Sequence, residues 1–579
     1  MISDKRTAWI EQVWTSLRSI PGCTTASLLE VAWRTHQQRQ RPVAAIFGAY
    51  DAGKSSLLKR LLFEDGASIP DDLTVSGRRE TFSVDEADGA TWTYRDSPGL
   101  AGGNSEHELK ALDSLDLADM LIWLLPPQLV TSRKDTFDAI ATGARFAVGP
   151  EHVAASLMAV ISRIDEAGID AATNPEGFAS LCARKQREFA SLLATIGAVQ
   201  PRWGTLPVSA DPYQGVENAA PDASIYAMGE GWDGVSELRA ALENAANHAD
   251  ELRTLAGFRY ASRIIHDLSS AVRNERSERE EALGTIGDER DRLKLLSTSI
   301  EALRRSSKAD LDRVLEDELL SISRTGTAAA AEVLEKTLGA AIDRWSEQAY
   351  GDFEKLAASA EQEVVQRARS PSMKRLKKLL LDLTAPESPA TKSGFEDQIK
   401  RYGSRVGSSF REGFYAYAKV NLGMSIDDAA KHLREVQESG MTQAAFRAAK
   451  GKGKTFSSGD VVKKASEYVR WAKALDALVP LLDQLGPLVF DIAGEVLSKM
   501  EADKKAQRRR EIHHAIRKEA EGLKTDALTG YDEVNSNFAE WLGEQAKSQA
   551  SAESVLMAQV VALKASETTM GELMQDRPA

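Results

Sequence analysis

At 579 residues the chain is too long for one hydrophobic core, and two to four domains are expected. Its formal net charge of −13 leaves no dominant basic face, so no nucleic-acid partner is expected and any attraction to an anionic membrane has to come from local patches. Cys23 and Cys182, the only cysteines, are too few for a disulfide framework or a thiolate metal site, which fits a reducing cytosol. The first residues lack the apolar core of a signal peptide, and no run of about 20 uncharged apolar residues occurs anywhere. A cytoplasmic chain is therefore expected, soluble or peripheral at the inner face of the membrane.

In chain order, residues 1–40 read as two short helices, with Ile10, Val13, Trp14 and Leu17 on one face and Leu28, Leu29, Val31 and Ala32 on another, and are expected to pack against a helical neck. Residues 41–246 alternate short apolar runs with helical stretches, the pattern of a mainly parallel sheet with helices on both faces. The runs are Pro42–Phe47, Thr91–Arg95, Met120–Leu125, Leu157–Ile161 and Thr205–Val208, with Glu80–Val84 as a hairpin partner for the second. No proline occurs between Asp222 and Ser370, and Leu293, Leu296, Ile300 and Leu303 repeat at helical spacing. Residues 247–383 therefore read as a long helical neck and trunk. A Pro/Ser/Thr hinge at 384–394 interrupts it, and residues 395–579 return to helical texture.

The chemistry concentrates in the first of these regions. Gly48-Ala-Tyr-Asp-Ala-Gly-Lys-Ser55 has the phosphate-loop spacing Gly-x-x-x-x-Gly-Lys-Ser between an apolar run and a helical one. Glycines let backbone N–H groups turn inward around a β-phosphate, and Lys54 supplies charge to the β and γ oxygens. The Ser55 hydroxyl reaches Mg²⁺, and the helix opening at Ser56 adds its dipole. Ala49, Tyr50, Asp51, Ala52 and Gly53 line the loop. Downstream, Asp96-Ser-Pro-Gly99 ends a strand, and its aspartate and glycine suit a water-bridged Mg²⁺ contact and a γ-phosphate sensor.

Next, Val160-Ile-Ser-Arg-Ile-Asp165 delivers Ser162, Arg163 and Asp165 in the manner of an Asn/Thr-Lys-x-Asp element. The Asp165 carboxylate would accept from guanine N1–H and its exocyclic amine, and Arg163 could lay its guanidinium plane on the purine. Leu206-Pro-Val-Ser-Ala210 supplies the last element, with Ser209 and Ala210 near the base oxygen. A threonine over the γ-phosphate and metal is expected between Ile69 and Thr81. Thr74 is favoured as that catalytic, metal-binding residue, with Thr81 as the alternative. Asp51 places a carboxylate beside the triphosphate, where it would ligand a monovalent cation such as K⁺ or Na⁺ or point into a dimer contact.

The helical preface, Phe47-Gly-Ala-Tyr-Asp-Ala-Gly-Lys-Ser-Ser-Leu57, Asp-Ser-Pro-Gly99, Ser-Arg-Ile-Asp165 and the long helical body together resemble a bacterial dynamin-like protein, most similar to the LeoA type. The resemblance implies a GTPase head on a helical neck and trunk, GTP with Mg²⁺, GTP-driven homo-oligomerisation through pairing of heads, and membrane binding or remodelling. It carries Lys54, Ser55, Asp96, Gly99 and Asp165 over as phosphate, metal, switch and base contacts. Tyr50-Asp51 stands where eukaryotic dynamins have Gln-Ser, which puts a dynamin-type catalytic side chain there in doubt.

Within the trunk, residues 447–493 join a basic segment bearing Lys450, Lys452 and Lys454 to an apolar one broken by Pro480 and Pro487. They read either as a paddle dipping into an anionic leaflet or as a buried helical hairpin with a solvated loop. At the level of the whole chain the alternative to a membrane-working GTPase is a soluble switch that recruits and releases a protein partner.

Overall fold

The computed structural model describes residues 2–49, 51–70, 85–97, 112–129, 134–217, 219–325, 330–384, 410, 411, 414, 417 and 499–578. They divide into two compact units. The first holds residues 2–277, the described positions from 410 to 417, and 560–578, and the second holds 278–384 and 499–559.

The first unit is built on a six-stranded sheet ordered β2-β3-β1-β4-β5-β6. Its strands are β1 (Val43–Gly48), β2 (Asp85–Asp88), β3 (Thr93–Asp96), β4 (Met120–Leu125), β5 (Leu157–Ser162) and β6 (Thr205–Val208). Every residue of β1, β4 and β5 is buried. That is why their sequences run apolar without alternation, as strands covered on both faces must. Alternate residues serve opposite faces. Ala45, Phe47, Leu121, Trp123, Leu125, Leu157 and Ala159 join one core with Trp9, Trp14 and Phe258. Ala44, Ile46, Met120, Ile122, Leu124, Met158 and Val160 join the other with Leu57, Leu61, Leu238 and Leu242. The ring of Trp123 stacks on Phe137 at 5.5 Å and meets Phe189 edge-on at 5.4 Å.

Glu80–Val84, expected as the hairpin partner of β3, lies outside the described residues. Asp85–Asp88 makes the antiparallel pairing, with Asp85 opposite Asp96 and Asp88 opposite Thr93. Thr93 Oγ1 donates to Asp88 Oδ1 at 2.7 Å, and Arg95 reaches Glu86 Oε1 at 2.8 Å, so polar cross-strand pairs hold this edge instead of apolar ones.

Of the two leading helices, α1 (Ile2–Ser19) buries Ile10, Val13, Trp14 and Leu17 as its spacing requires. In α2 (Ala26–Gln37) the inward face is Ala26, Leu29, Trp33 and His36, while Val31 points to solvent. The apolar cluster at 28–32 thus misleads, because Trp33 and His36 continue the i, i+3, i+4, i+7 row from Leu29 and Val31 lies off it. Helix α3 (Lys54–Glu64) follows β1 directly, and α4 (Pro175–Thr195) and α5 (Val235–Ala246) follow β5 and β6.

Helix α6 (Ala249–Thr325) opens by inserting cations under the amino-terminal edge of the sheet. Arg253 donates to Arg39 O at 2.8 Å and Arg41 O at 3.1 Å. Arg259, fully buried, donates to Ala118 O at 2.5 Å and to the Ser156 hydroxyl, and Arg263 pairs with Asp116. Asp119, the residue before β4, lies among these groups. Its Oδ1 is 2.9 Å from His36 Nε2, and its Oδ2 accepts the Val43 N–H at 2.7 Å with Arg253 at 3.5 Å.

The second unit is helical. It contains the rest of α6 with α7 (Ala330–Ala368), α8 (Pro371–Thr384) and part of α9 (Lys499–Gln575). The row Leu293, Leu296, Ile300, Leu303 packs on Phe353, Phe538 and Leu542. Leu311 and Leu315 continue it against Leu338, Trp345 and Tyr531, and Trp345 Nε1 donates to Ser307 O at 2.7 Å. Among the described residues no helix is long and apolar enough to cross a membrane. Most of the 384–394 hinge and all of 447–493 lie outside the described residues.

Candidate nucleotide site

Strands β3, β1, β4, β5 and β6 run parallel, so their carboxyl ends share one edge of the sheet. β1 sits between β3 and β4, and the chain order departs in opposite directions on its two sides, which opens a crevice at its end. The loop after β1 lies in that crevice. A side chain at Gly48 would put its Cβ 2.5 Å from the Leu124 carbonyl oxygen, so only glycine fits between β1 and β4. Gly53, at φ +82°, turns the loop into the first residue of α3. Asp51 takes φ +60° without being glycine, a strained backbone of the kind that clusters at functional loops.

Lys54 is buried and its Nζ donates to Ala49 O at 2.9 Å. Burial lowers its pKa below the usual lysine value, against the pull of Asp96 and Asp51. Ser55 Oγ donates to Asp96 Oδ2 at 3.1 Å, which brings a hydroxyl and a buried carboxylate together where β1 and β3 end. Ser97 Oγ donates back to Ile46 O at 2.9 Å and fixes the exit of β3 against β1.

From the other side, the end of β5 leans on the same loop. The Ser162 hydroxyl lies 2.8 Å from Ala52 O and 3.1 Å from Leu125 O. Arg163, at φ +49°, points its guanidinium at Asp51, with Nη2 to Oδ1 at 2.7 Å and Nη1 to Oδ2 at 3.4 Å. The guanidinium expected to lie on the purine thus forms an ion pair with Asp51. Asp165 Oδ2 accepts the Tyr213 N–H at 3.0 Å. Ser209 is buried after β6 and its N–H donates to Asp233 O at 2.8 Å, with Ala210 half-buried beside it. The loop beyond is shaped by Asp211, which accepts the N–H groups of Val216 and Glu217 at 2.9 and 2.8 Å. Ser56 opens α3 behind Ser55. Tyr50, Thr74, Thr81 and Gly99 lie outside the described residues.

The structure therefore gathers Lys54, Ser55, Asp96 and the Ser162–Asp165 segment around one loop. In the sequence Asp51 and Arg163 belong to two separate motifs. Their opposite charges were the signal that they meet. The Tyr213 contact carried no signal at all.

Residues 43–147 match the model of a family described as 50S ribosome-binding GTPases. The chain carries a GTPase domain. Its phosphate loop and Asp96 fall inside the matched stretch, and Asp165 follows it. No curated protein matches the chain by sequence. Among solved structures the chain is similar to a LeoA bacterial dynamin GTPase from ETEC, at 14% identity and TM-score 0.33, covering 99% of both chains. It is also similar to a chain described as part of an oligomerised bacterial dynamin pair that senses and tethers membranes, at 11% identity and TM-score 0.43, covering 95% of this chain and 90% of that one. A third is the elongation factor SelB from Methanococcus maripaludis with a GTP analogue, at 15% identity and TM-score 0.23, covering 36% of this chain and 34% of that one.

Proposed function

We propose that the protein is a dynamin-like GTPase that hydrolyses GTP with Mg²⁺ and couples that cycle to self-association and membrane binding through its helical regions. The observation that carries the nucleotide part is the meeting of Lys54, Ser55 with Asp96, and Asp165 at one edge of the sheet. Lys54 meets the β- and γ-phosphate oxygens, and backbone N–H groups from Gly48 to Ser55, with the amino end of α3, hold the rest of the charge. Mg²⁺ would be held by Ser55 and Asp96, two hard oxygen donors that suit it, and when bound it would neutralise charge on the phosphate oxygens. Thr74 is proposed as the further hydroxyl over that site. Asp165 reads guanine N1–H and the exocyclic amine once it exchanges its bond from the Tyr213 N–H, and Ser209 and Ala210 border the base. A monovalent cation at Asp51 would have to compete with Arg163.

The membrane part rests on layout. More than three hundred residues follow the GTPase domain, far beyond what a small switch carries, and they include the basic segment with Lys450, Lys452 and Lys454. Co-sedimentation of the protein with anionic and neutral liposomes, with and without GTP, tests it. Binding to anionic liposomes that weakens with salt and with replacement of those lysines by Glu is the expected result. A folded protein that ignores liposomes of every charge in both nucleotide conditions points to a soluble switch acting on a protein partner. Specific GTPase activity that rises with protein concentration would support pairing of heads, and a flat profile would count against it.

A further inference from the structure

We propose that Asp51 and Arg163 form a charge clasp that sets nucleotide affinity, in which Arg163 neutralises the one carboxylate of the phosphate loop and thereby lets that loop accept a triphosphate. The proposal rests on the reading of the site as a GTP site.

Three consecutive loop residues meet the end of β5. Arg163 grips Asp51 through its two terminal nitrogens, Nη1 and Nη2, Ser162 bonds to Ala52 O, and the Arg163 Nε lies 3.8 Å from where a side chain on Gly53 would begin. The arginine thus runs across the phosphate loop. Both partners adopt left-handed backbone, at φ +60° and +49°, without being glycine. Such strain persists only where surrounding contacts over-determine it. The pair is half-exposed, at 33% for Arg163 and 58% for Asp51, so its contribution to folding is small. Asp51 nonetheless lies close enough to Lys54 to act on its charge, and a phosphate held by Lys54 would feel Asp51 with the opposite sign. Glu166, 3.8 Å from Arg163 Nε, is the other acid that faces the guanidinium.

This arrangement assigns Arg163 an electrostatic task distinct from stacking on the base. Without it, Asp51 stands unpaired beside bound phosphates and repels them. Without both, neither the repulsion nor its remedy remains. The two roles therefore differ in a double-mutant cycle.

The test is the affinity for a fluorescent GTP analogue, measured for wild type, Lys54→Ala, Asp51→Asn, Arg163→Ala, Arg163→Lys and the Asp51→Asn/Arg163→Ala double variant, with the melting temperature of each. Arg163→Ala should weaken binding about tenfold or more, the equivalent of one unfavourable charge contact at short range. Asp51→Asn should bind more tightly than wild type, because it removes the carboxylate and leaves the Arg163 charge, and the double variant should return to within about threefold of wild type. Arg163→Lys should keep most of the affinity, and the Arg163→Ala deficit should shrink as KCl is raised, because the charges are solvent-accessible. A double variant as weak as Arg163→Ala overturns the clasp and returns Arg163 to direct contact with the nucleotide. Unchanged binding by Arg163→Ala overturns it as well. If wild type binds no better than Lys54→Ala, the GTP site itself fails and the clasp with it. Discrimination between wild type and Lys54→Ala alongside an additive cycle removes the clasp alone.

Discussion

Replacing Asp119 with Ala should destabilise the GTPase domain by several kcal/mol. The carboxylate is fully buried and serves three neighbours: His36 from α2, the Val43 N–H at the start of β1, and Arg253 from α6. Removing it strips the Val43 amide of its acceptor, worth ~1–3 kcal/mol for a buried donor, and leaves two groups without their anion. A broken buried ion pair loses ~3–5 kcal/mol as a whole, a large share of the roughly 5–15 kcal/mol that holds a typical domain together. Asp119→Asn keeps an acceptor for Val43 and should lose less. Burial pushes the carboxyl pKa up, but His36, Arg253 and the Val43 amide outweigh it and hold it below the ordinary aspartate range. The stabilisation is therefore complete above the unfolded value of about 3.9 and is lost as pH falls through the lower folded value. Urea unfolding followed by tryptophan fluorescence, at a series of pH values, measures both effects. The gap between wild type and Asp119→Ala should be constant from neutral pH to about 5 and should narrow only in stronger acid, where a protonated carboxyl still accepts the Val43 N–H. A loss under about 1 kcal/mol at neutral pH, or a gap that stays constant into strong acid, would refute the account.

Lys54→Ala should abolish GTP binding while the fold survives, and wild-type affinity by calorimetry would remove the site. Asp165→Asn should weaken GTP and favour XTP, whose C2 oxygen wants a donor, so an unchanged preference in competition binding would mean the base is read elsewhere. Gly48→Ala should disrupt the crevice through backbone contact alone, since its Cβ would lie 2.5 Å from Leu124 O and 3.1 Å from Leu124 Cβ. A variant that binds GTP and melts like wild type would show that β1 and β4 can part at no cost.

Strands buried on both faces were legible because their apolar runs are unbroken: Met120–Leu125 is observed with the bounds its sequence suggests, and Leu157–Ile161 gains one residue. β2 was not legible. Asp-Glu-Ala-Asp has one inward apolar residue, Ala87, and its pairing depends on cross-strand partners in β3 that periodicity cannot register. The phosphate loop announced itself through spacing, because backbone geometry dictates where glycine must stand. Asp51 with Arg163, and His36 with Asp119, lie 112 and 83 residues apart and are joined only by the fold. A local window could not see either pair.

The cations that open α6 bear on how the GTPase domain can be handled. Arg253 satisfies the carbonyls of Arg39 and Arg41, Arg259 that of Ala118, and Arg263 the carboxylate of Asp116. A fragment cut from 41 to 246 would keep Ala118 and Asp116 but lose all of these donors, together with Trp9, Trp14 and Phe258 from one sheet face. It would expose apolar surface and strand polar groups at once, the conditions under which a chain aggregates when expressed. Nucleotide measurements on this protein therefore call for the chain from its first helix through α6, with the closing segment of α9, whose Leu573 carbonyl accepts from Trp9 Nε1 at 2.8 Å. The candidate nucleotide residues fall in one stretch of sequence, but the sheet that carries them packs against segments from both ends of the chain.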